Sequence, residues 1–200
     1  MLEELKQRIL TDGRAKAEGG IVLVGNFLNH QLDPQLMMRA SPKSSPTVKD
    51  FPPPFREGMG VGFEAGFEVS GIAPAILTGY LMHLPVVFIK KKQPKTVDES
   101  WKSWVWSFTR SDETTVCIDR KFLKESDRIL FIDDFLAEGH ASGSVIHLCR
   151  LSGAQIVGMG FLVEKGFAGG GQFLREHNIP YHALATIKRI RPEDNTIELA

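Results

Sequence analysis

Hydrophobic and polar positions along this 200-residue chain change period repeatedly, and the changes mark out alternating helices and strands. Residues 2–11 place Leu2, Leu5, Ile9 and Leu10 on one helical face, closed near Gly13. A short apolar run at 21–24 predicts a strand, and Asp33-Pro34 fits the cap and first position of a helix through about Arg39. Residues 72–82 predict a second helix, with Pro74 in its first turn, where a missing N–H costs nothing. A strand at 85–89 leads into a charged loop at 90–100, and 104–108 with 114–118 read as the two strands of a hairpin. A strand at 128–132, a helix at 142–152 carrying Val145, Leu148 and Leu151, and a strand at 155–163 then make a βαβ unit. Helix 170–177 and strands 181–187 and 196–199 finish the chain. Strands alternating with helices predict an α/β fold, a mostly parallel sheet flanked by helices on both faces.

Composition narrows the class. A 42% hydrophobic content over this length fits one globular domain with a full core. Lys plus Arg equals Asp plus Glu at 24 each, so no global field recruits nucleic acid or an anionic membrane. The first ten residues lack the apolar core of a signal peptide, and no apolar run reaches about 18 residues, so the expectation is a soluble, cytoplasmic protein. Cys117 and Cys149 lie in apolar contexts and read as buried free thiols, which suits a reducing compartment. No His/Cys cluster has metal-ligand spacing.

The chemistry concentrates at residues 128–141, RILFIDDFLAEGHA. The apolar strand breaks into Asp133 and Asp134, placed where the strand ends, and ligands of open parallel sheets bind at that edge. The turn Ala137-Glu138-Gly139-His140-Ala141 then presents backbone N–H groups at a helix N-terminus, a site suited to phosphate. Adjacent acids alone end many strands in solvent; followed by this turn and helix, they stand beside a phosphate site. Ser70-Gly71 before the helix at 72–82 offers a second anion-binding terminus as well as an ordinary cap. Lys90, Lys91 and Lys92 read equally as a solvated charge run or as cations for a diphosphate.

This arrangement resembles the 5-phosphoribosyl-1-diphosphate (PRPP) motif of type I phosphoribosyltransferases. FLNHQLDP at 27–34, EVSGIAPA at 68–75, LPVVFIKKK at 84–92, SFTR at 107–110, IDDFLAEGHA at 132–141 and GFLVEKGF at 160–167 narrow the resemblance to the bacterial xanthine phosphoribosyltransferases. It implies a single domain over 1–200, with a core at about 68–165 and a hood built from about 1–34 and 166–200. It also implies transfer of the phosphoribosyl group from PRPP to xanthine, giving xanthosine 5′-monophosphate and pyrophosphate in purine salvage. Guanine or hypoxanthine as the base, or a non-catalytic PRPP-binding regulator, are the alternatives; the balanced charge shows no DNA-binding face.

Residue by residue, the resemblance implies that Asp133 and Asp134 hold the ribose hydroxyls and stabilise positive charge at the anomeric carbon. Residues Ala137, Glu138, Gly139, His140 and Ala141 would hold the 5′-phosphate, and Ser70, Gly71 and Lys91 the diphosphate. Val22, Asn29 and Lys165 would meet the purine, and Phe167 either stacks on it or is buried in the core. Mg²⁺ would arrive on PRPP, held by oxygen ligands. A homodimer is implied as well.

Two departures stand out. Glu138 and His140 occupy positions where the resembled enzymes usually carry Asn and Gln, and a carboxylate aimed at phosphate would cost roughly 1 to 4 kcal/mol at about 4 Å, so Glu138 is expected to point away. Residues 40–67 hold five of the eleven prolines, among them Pro52, Pro53 and Pro54, where the resembled enzymes place a helix and the first sheet strand. Either the chain truly diverges there and the sheet lacks a strand, or the reading frame shifts near 40 and recovers near 67. The abrupt loss and return of resemblance favours the second.

Overall fold

The computed structural model describes residues 2–16, 22–24, 27–28, 33, 35–36, 59–63, 71–91, 98–107 and 112–200. In chain order the elements are helix α1 (Leu2–Asp12), strands β1 (Arg14–Ala15), β2 (Val22–Leu23) and β3 (Met59–Phe63), helix α2 (Ile72–Met82) and strands β4 (Val86–Ile89), β5 (Ser100–Ser107) and β6 (Asp112–Asp119). Strand β7 (Arg128–Leu136), helix α3 (His140–Ser152), strand β8 (Gln155–Lys165), helix α4 (Gly170–Glu176) and strands β9 (Tyr181–Arg191) and β10 (Thr196–Leu199) follow. Six strands form the main sheet in the order β10-β9-β8-β7-β3-β4. All neighbours in it run parallel except β10, which folds back antiparallel on β9. Strands β5 and β6 make a separate antiparallel pair, in line with the expected hairpin.

The parallel arrangement follows from strands that are apolar on both faces. In β7, Ile129, Leu130, Phe131 and Ile132 are all buried. One face packs Ile129 and Phe131 against Val145 and Leu148 of α3 and Leu174 of α4. Under α2, Leu130 and Ile132 meet Ala75. A further core joins Leu5 and Ile9 of α1 and Val22, Phe27 and Leu36 to Leu162, Val163, Ile187 and Ile197. Full burial of a side chain such as Leu148 contributes about 1.5 to 3 kcal/mol.

Several boundaries differ from expectation. Strand β7 continues through Asp133 and Asp134 to Leu136, because β8 stays paired beside it to Glu164. The acids therefore lie within the strand rather than after it. Helix α3 starts at His140, two residues early, and β9 runs on to Arg191 because β10 supplies a partner there. Strand β5 starts at Ser100, and the backbone of Lys90 exchanges two hydrogen bonds with Cys117 at 2.8 and 2.7 Å, so both ends of the expected charged loop are anchored. Leu10 and Leu151 are 46% and 44% exposed. In α3 the buried position belongs to Cys149, four residues after Val145, which leaves Leu151 rotated off that stripe.

Of the two readings of residues 40–67, the less favoured one, in which the sheet lacks a strand there, does not hold, because the segment contains one. Met59–Phe63 pairs with β4 on one side and β7 on the other, so the sheet core begins at 59 rather than 68. The prolines all precede it; Pro52, Pro53 and Pro54 lie outside the described residues. Of the helix expected after Asp33-Pro34, residues 35–36 are helical, and Leu36 N–H donates to Asp33 Oδ1 at 2.9 Å as a helix cap requires.

Candidate active site

Strand β7 outruns one of its neighbours. Pairing with β3 ends at Ile132, while pairing with β8 continues through Asp133 to Leu136. Among the described residues, the two acids thus start where β7 is paired on one side alone. Asp133 is 2% exposed and Asp134 is half-buried, and Asp134 N–H donates to Asp133 Oδ1 at 2.9 Å. Burial, and then the charge of Asp134, raise the Asp133 carboxyl well above the usual carboxylate range. A pair of carboxyls in a desolvated recess can accept hydroxyl donors and, ionised, stabilise a developing positive charge strongly.

The turn after β7 is shaped by absent side chains. Gly139 has φ 89°, a left-handed conformation, and a Cβ there would meet Phe173 Cδ1 at 2.9 Å. Its carbonyl accepts the first α3 bond from Gly143 N–H at 2.8 Å, and no side chain caps the helix. Gly170 N–H donates to the Ala137 carbonyl at 2.8 Å, and a Cβ on Gly170 would stand 2.3 Å from that oxygen. Helix α4 therefore braces the turn, while the first amides of the thirteen-residue α3 point past it. Glu138 and His140 are exposed, and Ala137 and Ala141 are partly buried.

Lys165, the last residue of β8, is partly buried, with Nζ 5.7 Å from the Phe135 ring centroid. Burial lowers its pKa, opposed by the charges of Glu138 and then Asp134. Its neighbour Glu164 accepts from Tyr181 Oη and Thr186 Oγ1, each at 3.1 Å.

The xanthine phosphoribosyltransferase of Lactobacillus delbrueckii subsp. bulgaricus is 42% identical over 188 residues, 94% of this chain and 95% of its own. The chain belongs to the xanthine phosphoribosyltransferase family. The xanthine phosphoribosyltransferase of Ligilactobacillus salivarius is 37% identical over 194 residues, 96% of this chain and 95% of its own. No protein-family model matches the chain. Among solved structures, adenine phosphoribosyltransferase of Giardia lamblia with 9-deazaadenine superposes with a TM-score of 0.75 at 15% identity, covering 94% of this chain and 98% of that one. The Rhodothermus marinus adenine phosphoribosyltransferase gives 0.70 at 19%, covering 93% and 98%. These likenesses give the fold as the type I phosphoribosyltransferase fold.

Within that fold the remaining sequence-derived residues of this xanthine phosphoribosyltransferase family member fall as follows. Gly71 is buried and is the N-cap of α2, at φ −69° and ψ −19°. Lys91 follows β4 and is partly buried. Val22 is buried in the core that carries α1. Phe167 is 47% exposed, so it is not a core residue. Ser70 and Asn29 lie outside the described residues. Sequence reasoning missed Phe135, which lies beneath Lys165, and the bracing of the turn by Gly170 and Phe173. The run Gly169-Gly170-Gly171 was the signal for the second. A Cβ on Gly171 would lie 2.3 Å from both Glu164 Oε1 and Tyr181 Oη, so close approach explains two of the three glycines.

Proposed function

We propose that the chain transfers the phosphoribosyl group of PRPP to xanthine, releasing pyrophosphate and forming xanthosine 5′-monophosphate for purine salvage. The observation that carries this is an acid pair on β7, Asp133 buried and Asp134 half-buried, just before a glycine-shaped turn and an uncapped helix N-terminus. In this reading Asp133 and Asp134 accept the ribose hydroxyls, and their negative potential favours the oxocarbenium-like centre as the diphosphate departs. The amides of 137–141 hold the 5′-phosphate, which fixes the anomeric carbon relative to the acids. Gly71 with Ser70 and Lys91 take the diphosphate, and Val22, Asn29, Lys165 and Phe167 line the base.

Mg²⁺ enters as a companion of PRPP. As a hard cation it takes oxygen ligands from the diphosphate and water, with Asp133 or Asp134 as the protein oxygens at hand. The terminal segments, joined in the core of α1, β9 and β10, serve as a hood over the ribose. A homodimer and a cytoplasmic setting complete the reading and rest on the family. Among the described residues no helix is long and apolar enough to cross a membrane.

The test supplies PRPP, Mg²⁺ and, in turn, xanthine, guanine, hypoxanthine and adenine, and scores nucleotide and pyrophosphate. Xanthine is expected to give the highest kcat/KM. Turnover of no base would overturn the reading, and a preference for guanine or hypoxanthine would replace xanthine.

A further inference from the structure

Glu164 and Lys165 close β8 side by side, and their side chains part. Lys165 lies over Phe135, which packs with the core of α1, whereas Glu164 turns toward β9 and α4. There each carboxylate oxygen has its own donor: Oε1 accepts from Tyr181 Oη and Oε2 from Thr186 Oγ1, both at 3.1 Å. Thr186 is the residue opposite Glu164 in the β8–β9 register, and Tyr181 reaches the carboxylate from the first position of β9. Arg175 of α4 donates to Tyr181 Oη at 2.8 Å. A guanidinium can only donate, so the phenol accepts from it and keeps its one proton for Glu164. Gly171 leaves room for the pair, since a Cβ there would stand 2.3 Å from both Glu164 Oε1 and Tyr181 Oη. The backbone just beyond is tied too: Gly166 N–H donates to the Ile187 carbonyl and Ala168 N–H to the Lys165 carbonyl, each at 2.9 Å.

We propose that Glu164 is a positioning residue for the base: clamped by Tyr181 and Thr186, it fixes the end of β8 so that the Lys165 ammonium is presented to the purine. The inference rests on the reading of Lys165 as the cation that meets the base. A lysine stem is long and flexible, so the place of its ammonium depends on where the stem starts and which way it leaves the backbone. A tilt of the strand end is magnified along it. Hydrogen bonds to the carbonyl edge of a base weaken steeply with displacement and misalignment, and a carboxylate held at both oxygens resists that tilt from the far side of the strand. Glu164 thus acts on the base through its neighbour, without touching the substrate.

The experiment compares Glu164→Ala, Glu164→Gln, Tyr181→Phe and Lys165→Gln in the full chain, with the double variant Tyr181→Phe/Lys165→Gln. It measures the KM for xanthine and for PRPP separately. Glu164→Ala is expected to raise the xanthine KM about tenfold and to leave the PRPP KM largely unchanged, as misplacement of one positioned group does. Glu164→Gln should keep most of the parental value, because its amide accepts from Tyr181 and donates to Thr186. Tyr181→Phe removes one tie with little change of bulk and should raise the xanthine KM about threefold; it carries the test where Glu164→Ala folds poorly. That rise should vanish when Lys165 is also Gln. An unchanged xanthine KM in Tyr181→Phe, an equal rise in both KM values, or a rise that persists without Lys165 overturns the proposal. Failure of the underlying reading shows differently: Lys165→Gln alone would leave the xanthine KM untouched, or the parent chain would turn over no base, and either outcome removes this inference as well.

Discussion

At the scale of single residues, Asp133 joins the role proposed for it in the reaction to a cost in stability. Its carboxyl is buried and its pKa is raised by desolvation and by Asp134. A group raised in the folded state contributes stability that is fully present below its unfolded pKa and is lost as pH rises through the folded value. Asp133→Asn should therefore melt higher than the parent at neutral pH, with the difference fading toward the acid side. Each kcal/mol of relief should raise Tm by about 2 to 4 °C. The same change should lower kcat by roughly 10²-fold or more, through loss of a preorganised charge. Thermal melts across pH with paired kinetics check both, and a variant that melts lower at neutral pH would contradict the sign. The two thiols make a simpler case. Cys149 is buried with its thiol pushed up to about 12, and Cys117 is also buried and raised. Native protein should resist iodoacetamide at both positions under mildly alkaline conditions, and denatured protein should be labelled at both, as mass spectrometry would show. Sequence context had pointed to two buried free thiols, because an apolar strand and an apolar helix stripe supply the burial by themselves.

At the scale of elements, the turn between β7 and α3 depends on backbone conformation. Gly139→Ala must hold an L-residue at φ 89° and press a methyl against Phe173. It is expected to cost about 1 to 2 kcal/mol in denaturant unfolding. It should also raise the PRPP KM by about tenfold, equivalent to ~1.4 kcal/mol. Loss of stability with an unchanged PRPP KM would detach the turn from the phosphate. The elements were unevenly legible in the sequence. Ile129 to Ile132 announced β7 through an unbroken apolar run, but the strand continues through two acids because β8, far away in sequence, remains beside it. Strand β3 was hidden for another reason: Gly60 and Gly62 alternate with apolar residues after a proline-rich stretch, and glycine is a weak strand signal.

At the scale of the molecule, the cores share their strands. Met159 and Phe161 of β8 pack toward α3 and α4, whereas Leu162 and Val163 of the same strand pack with α1. Strand β9 divides likewise between Ala183 and Ile187. A sheet that serves both cores should transmit loss of either to the other, so unfolding is expected to be one cooperative transition in which calorimetric and van't Hoff enthalpies agree. Ile187→Ala, at 0% exposure, should lower stability by roughly 2 to 5 kcal/mol and shift that single transition without splitting it. A biphasic melt would mean that the terminal segments fold as a separate unit.

The bracing of the turn between β7 and α3 by α4 has an evolutionary side. Gly139 and Gly170 hold the turn through conformation and through space that only hydrogen can occupy, whereas Glu138 and His140 face solvent. Mutational tolerance should therefore divide sharply within a few positions. In a library randomised at 138, 139, 140 and 170, selection for growth on salvaged base would accept many side chains at 138 and 140 and refuse them at the two glycines. Change at 138 is then cheap for the fold of the turn, and a lineage can vary the charge it presents there without rebuilding the backbone beneath.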